Sequence, residues 1–180
     1  VRQIEQMETR IRYLEEINRV NLDALDIVAS MGDLYTTSRS EWNRGNILAA
    51  AREHVLRLVQ FRAVGYCMVD DETGEFVLTE CFPAEHKGLI QEEIAYQTDQ
   101  GMFAWALNHH RAITVASRTP GVSIIMHAIA TRERVHGMFV GMLDEEHGTL
   151  ADGTLSLISI LLFITASALE NAALYSTINE

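Results

Sequence analysis

Apolar residues in the first part of the chain recur at alternating spacings of three and four: Ile4, Met7, Ile11 and Leu14, then Leu25 and Val28, with Asn18 and Asn21 between them. This repeat predicts a helix with a coiled-coil seam over residues 1–35, flanked by Glu5, Arg10, Arg12, Glu15 and Glu16. Asparagines in a seam cost stability but fix register and oligomer state. A helix of this length outruns a small domain. The seam residues Ile4, Met7, Ile11, Leu14 and Leu25 are therefore expected to meet a second chain.

A polar connector follows from Thr36 to Gly45, with Ser38, Ser40 and Asn43. Ile47, Leu48, Ala51, Val55, Leu58 and Val59 then trace one apolar face of a second helix. After Phe61 the period changes. Ala63 to Val69 and Glu75 to Phe82 are rich in strand formers, and Asp70-Asp71-Glu72-Thr73-Gly74 between them predicts a hairpin turn. Helical spacing returns over His86 to Gln97 (Leu89, Ile90, Ile94) and briefly over Phe103 to Asn108. Three further strands are expected at Ala112 to Val115, Val122 to Ala130 and Arg134 to Leu143, with loops at Ser117 to Gly121 and Glu145 to Gly153.

The closing helix, residues 152–178, is apolar on two sides. One stripe is Leu155, Ile158, Leu162, Thr165, Leu169 and Ala172; the other is Leu157, Leu161, Ile164, Ala168 and Tyr175. A helix with two apolar faces must be covered on both. One face can pack on a sheet, and the other needs the N-terminal helix or another subunit. A dimeric bundle of both terminal helices is expected, with Leu155, Ile158, Leu162 and Leu169 in the interface beside the N-terminal seam.

The 180 residues suit one globular domain with extra helix at its ends, and 48% hydrophobic with 22% charged residues is the balance of a folded chain. Fourteen Lys plus Arg against 25 Asp plus Glu give a net charge of −11, which repels a phosphate backbone and argues against nucleic-acid binding. Two cysteines, Cys67 and Cys81, are too few for a disulfide scaffold, so a reducing cytoplasm is expected. The charged N-terminus carries no signal-peptide pattern. The longest uncharged run, Gly153 to Leu169, falls short of the roughly 20 apolar residues of a bilayer span, so it is read as a helix buried in protein. Both ends lie inside helical patterns without caps, as in a segment of a longer protein.

Four stretches carry a family likeness: Ala63 to Gly74 as a first hairpin; Gln100-Gly101-Met102-Phe103-Ala104-Trp105-Ala106-Leu107 as a G-x-x-x-x-A-L helix; Val135-His136-Gly137-Met138-Phe139-Val140-Gly141 as a glycine-bearing strand; and Ala168-Leu169-Glu170-Asn171-Ala172-Ala173-Leu174-Tyr175 near the end. In this order they resemble the GAF sensor-domain family over residues 45–176. The resemblance implies an α+β fold layered α/β/α: a central antiparallel sheet of five to six strands with helices on its faces. It also implies a regulatory module in a signalling protein such as a sensor histidine kinase. A small-molecule pocket would lie between the sheet and the crossover helices, and the output domain elsewhere in the parent chain.

The ligand does not follow from the fold. Some GAF members bind cyclic nucleotides through Asn-Lys, then Phe, three residues and Asp-Glu. Here four residues separate Phe139 from Asp144-Glu145, and the chain has no Asn-Lys dipeptide. Bilin-binding relatives attach pigment through a cysteine beside a histidine, whereas Met68 follows Cys67 and Phe82 follows Cys81. Relatives that reduce methionine sulfoxide need a redox cysteine set, which two strand cysteines do not supply. Seven histidines, His54, His86, His109, His110, His127, His136 and His147, show no metal-ligand spacing, though haem through one axial histidine leaves no spacing signature. His127, in an apolar strand, is read as a core histidine with a ligand role as the alternative. The acidic group Asp70, Asp71, Glu72 and Glu75 is read as a solvated turn.

The expected apolar pocket draws on Tyr66, Met68, Phe82, Ile94, Phe103, Trp105, Met126, His127 and Met138. Without cross-strand register the inward residues of each strand stay open, since a one-residue slip reverses every assignment. No catalytic constellation or metal motif is present in the sequence. The expected function is a non-catalytic, homodimeric, ligand-responsive sensor relaying through its terminal helices; the alternative is a ligand-free dimerisation and relay module.

Overall fold

The computed structural model describes residues 2–36 and 43–178. The chain divides into two compact units, Val1–Thr37 and Ser38–Glu180. The first is a single helix, α1 (Arg2–Thr36), whose 35 residues extend about 50 Å. Its seam residues Ile4, Met7, Ile11, Leu14 and Leu25 are between 51% and 65% exposed. The side chain of the remaining heptad position, Val28, lies outside the described residues.

The second unit opens with α2 (Arg44–Leu58). Asn43 caps it, its side chain accepting from the Asn46 amide at 2.8 Å, and this satisfies one of the unpaired amides of the first turn. The expected connector ends earlier than its polar composition suggests. Arg44 and Gly45 already belong to α2, while residues 37–42 lie outside the described part. Leu48, Ala51 and Val55, three and four apart, form the buried face.

Five strands follow: β1 (Ala63–Val69), β2 (Phe76–Phe82), β3 (Ile113–Ala116), β4 (Val122–Ala130) and β5 (Val135–Asp144). They form one antiparallel sheet in the order β2-β1-β5-β4-β3. The β1–β2 turn uses its acidic residue structurally. Asp70 Oδ1 accepts from the amide and the hydroxyl of Thr73 at 2.8 and 3.0 Å and from the amide of Glu72 at 3.0 Å, and these bonds hold its carboxyl below the ordinary carboxylate range.

Helices α3 (Lys87–Asp99) and α4 (Met102–Leu107) cross one face of the sheet, and α2 with α5 (Asp152–Ile178) covers the other. Residues paired across the ladder share a face. Gly65, Val140, Met126 and Ile113 form one row facing α3 and α4; Tyr66, Phe139 and His127 form the next row, facing α2 and α5. At Gly65 a Cβ would stand 2.8 Å from Ile90 Cγ2, so the bare backbone lets α3 settle on the sheet. A buried polar clasp ties α3 to β3: Glu93, 1% exposed, accepts from Gln97 Nε2 and from Ser117 Oγ, both at 2.7 Å, and Gln97 Nε2 also donates to the Ala116 carbonyl.

Both apolar stripes of α5 find much of their cover inside the domain. Ile158, Leu161, Leu162, Thr165, Ala166, Ala168 and Leu169 are buried against β4, β5 and α2. The expectation that Ile158, Leu162 and Leu169 face a second subunit is therefore corrected, because α2 and the sheet enclose them. Leu155 is only half-buried. The surplus apolar surface lies on a third strip, Ile160, Phe163 and Leu174, exposed at 47%, 52% and 59%, with Tyr175 beside it at 50%. Over Asp152–Ser176 this helix is also long and apolar enough to cross a membrane by length and composition, further than the uncharged run in the sequence suggests.

Candidate functional site

The nine residues expected to line one pocket fall on opposite sides of the sheet. Met126, Met138, Phe103 and Ile94 lie with α3 and α4. Tyr66, Met68 and His127 lie on the α2/α5 side. Phe82 is 46% exposed and capped by the Arg52 guanidinium 5.5 Å from its ring, and Trp105, also 46% exposed, meets the His109 ring at a tilt of 44° and a centroid distance of 4.2 Å. A sheet separates the two groups, so they cannot enclose one ligand.

The α3/α4 side is filled by the protein itself. Ile90, Met126 and Met138 are fully buried, and Phe76 meets Phe103 edge to face at 5.0 Å. Cys67 belongs to the same cluster, and burial pushes its thiol up to about 12. It is a packed apolar side chain rather than a nucleophile. Cys81, also raised by burial, donates to the Pro83 carbonyl at 3.4 Å.

On the other side, Tyr66 packs edge to face on Phe139 at 5.5 Å, and burial raises its phenol far above the ordinary value. His127 Nδ1 lies 2.6 Å from the Ala128 carbonyl, which places the ring proton on Nδ1 and leaves Nε2 buried with no hydrogen-bond partner. A bare Nε2 is the donor an axial haem ligand needs. The surroundings do not fit a macrocycle: His127 is 6% exposed, in a closed row with Phe139 and Tyr66. Among the described residues no group of three or more His, Cys, Asp or Glu could hold a metal ion.

Burial depresses His54, His127 and His136 below the ordinary 6.5, with Arg57 and Arg134 adding to the effect at His54 and His136 and the Ala128 hydrogen bond opposing it at His127. Below about pH 6.5 the unfolded chain binds protons that the folded one resists, so these histidines stabilise the fold above that pH and lose their contribution as it falls. The melting temperature is expected to be level between about pH 7 and 8 and to fall as the pH drops toward about 5. Circular dichroism melts check this; an unchanging Tm over that interval would contradict it.

An open cleft of about 290 Å³ lies on the α2/α5 side, at the end of the sheet where β1 finishes and β5 begins. Asn43 and Arg44 at the start of α2, Met68 and Val69 at the end of β1, and Asp71 in the turn form one part of its lining. Arg134 comes from the turn just before β5, His136 from the start of β5, and Leu169, Ala172, Ala173 and Ser176 from the second half of α5. Arg134 forms an ion pair with Asp71, 63 residues away, and Arg44 donates to the Val69 carbonyl at 3.2 Å. His136 Nε2 is buried with no hydrogen-bond partner. Of these residues only Met68 is expected from the sequence as a ligand contact, and Asp71 as part of a solvated turn. The others converge because β1 pairs with β5, which neither spacing nor composition announces.

The GAF domain family matches residues 43–171, more than half of the chain. The chain belongs to the GAF domain family. Among solved structures it is similar to the GAF domain of a phosphoenolpyruvate-protein phosphotransferase from Coxiella burnetii, at 15% identity and a TM-score of 0.60, covering 87% of this chain and 98% of that one. It is also similar to the GAF domain of a two-component sensor histidine kinase from Bacillus halodurans, at 16% identity and a TM-score of 0.57 over 75% and 99%. A third is the GAF domain of the potassium sensor histidine kinase KdpD from Escherichia coli, at 14% identity and a TM-score of 0.53 over 89% and 99%. These likenesses establish the GAF fold, and sensor domains of histidine kinases and other signalling proteins share it. A comparison with curated proteins found no match.

Proposed function

We propose that this chain is the regulatory GAF domain of a cytoplasmic signal-transduction protein, such as a sensor histidine kinase, and that it works as a parallel homodimer without catalysis of its own. The output domain belongs to the same parent chain. The observation that supports this reading is exposed apolar surface on both terminal helices: the α1 seam residues Ile4, Met7, Ile11, Leu14 and Leu25, and Ile160, Phe163 and Leu174 on α5. The α5 strip keeps a coiled-coil spacing through Ser167, at three, four and seven residues. Pairing two copies removes both stripes from water. A ligand that binds one packing of the helices better than another then shifts the α5 pair and so the output.

Light scattering tests the dimer. The wild-type chain is expected at twice its 20.2 kDa monomer mass at micromolar concentration, and Phe163→Asp at the monomer mass with an intact circular dichroism spectrum. A wild-type monomer at high micromolar concentration would overturn it. The packed α3/α4 face favours a second reading, in which that face takes no ligand and the domain only dimerises and relays. Under it, no neutral apolar compound raises the melting temperature, since a binder of the folded state must stabilise it.

A further inference from the structure

We propose that the cleft between the start of α2, the end of β1 and the second half of α5 binds a small organic oxyanion: a metabolite-sized molecule with an apolar or aromatic body and a phosphate or carboxylate head. Its volume of about 290 Å³ suits a compact molecule rather than a polymer. The lining is divided in the same way as such a ligand. Met68 and Leu169, 2% and 6% exposed, with Ala172 give an apolar wall, while Arg44, Arg134 and His136 gather cationic and ring-nitrogen groups at one place.

The carboxylate in the lining, Asp71, is engaged by Arg134 and orients that guanidinium rather than opposing a ligand. A guanidinium carries five N–H donors in a fixed fork. The contacts of Arg134 with Asp71 and of Arg44 with the Val69 carbonyl use a minority of them, and the rest suit two-point recognition of an oxyanion. His136 Nε2, buried without a partner, is a further group that a ligand's oxygen would satisfy. The site is on the opposite side of the sheet from α3 and α4, so a closed core there does not obstruct it. An occupant would span the first residue of α2 and the last turns of α5. Only that regulatory consequence rests on the function proposed above; binding itself does not.

Calorimetric titration of the whole chain in phosphate-free buffer tests the assignment, with phenyl phosphate, benzoate, inorganic phosphate and benzylamine as probes. At least one of the two organic anions is expected to bind with a Kd below about 1 mM, inorganic phosphate roughly tenfold more weakly, and benzylamine not at all. Arg44→Gln and Arg134→Gln should each weaken the organic anion roughly tenfold with unchanged melting curves, because both side chains are exposed. Ala173→Trp, at an exposed position of the lining, fills the cleft and should abolish binding while leaving the core alone. The proposal is overturned if neither organic anion binds at about 10 mM, if inorganic phosphate binds as tightly as both, if benzylamine binds better, or if binding survives all three variants. Titration reads binding whatever the oligomeric state, so a monomeric chain would sink the dimer and leave this site standing, and the reverse holds.

Discussion

Leu162→Asp is expected to unfold the GAF domain outright. Leu162 has no exposed surface and sits on the side of α5 closed by the sheet and α2. The substitution removes a packed side chain and places a carboxylate where no water or cation reaches it. Losing the leucine costs about 2–5 kcal/mol, and the stranded charge adds several more unless it takes up a proton. Together these approach the roughly 5–15 kcal/mol that holds an ordinary domain folded. Far-UV circular dichroism and a urea titration should show no cooperative transition. Its neighbour Phe163, 52% exposed, is the internal control, since Phe163→Asp is expected to keep the fold. A native melting curve for Leu162→Asp would mean that α5 packs on its own sheet through another face.

The second large effect is at Gly137, in the β1–β5 ladder at the centre of the sheet. A Cβ there would stand 2.3 Å from the Cys67 carbonyl oxygen and 2.8 Å from Met68 Sδ. The sulfur can move, but the carbonyl belongs to the neighbouring strand and cannot retreat without breaking the ladder. Gly137→Val is therefore expected to cost about 3 kcal/mol or more, seen as a lower urea midpoint with an unchanged slope. Met68→Ala should not rescue it, because the closer contact is backbone. Gly88→Ala gives the contrast: nothing lies within 4 Å of that position in α3, and removing a helical glycine should stabilise by roughly 0.5–1 kcal/mol. Equal stability of Gly137→Val and wild type would place β1 further from β5 than the register allows. The reason is local to the sheet and owes nothing to helix packing.

Much of the architecture was legible from periodicity. The three-four spacing of Ile4, Met7, Ile11 and Leu14 marked α1, runs of strand formers marked β1 and β2, and Asp70 to Gly74 marked the turn between them, because those signals depend on residues close in sequence. The α2 start was misplaced by two residues, since Asn43 reads equally as loop or cap until its side chain is seen on the Asn46 amide. The candidate pocket fared worse. Tyr66 and Cys67 are adjacent in a strand and therefore point to opposite faces, and no local feature says which face carries α3.

What the sequence by itself determined was the set of elements, the acidic surface and the excess of apolar positions on both terminal helices, all properties of short windows or of composition. Only the tertiary structure decided that β5 pairs with β1, that α2 rather than a partner covers Leu162, and that Arg44, Asp71, Arg134 and His136 meet around one cleft. Those facts depend on contacts between residues dozens of positions apart, such as Asp71 with Arg134, and many strand orders would satisfy the same local pattern. Burial energy is summed over the whole core, so the choice among those orders is made only when all the elements pack at once.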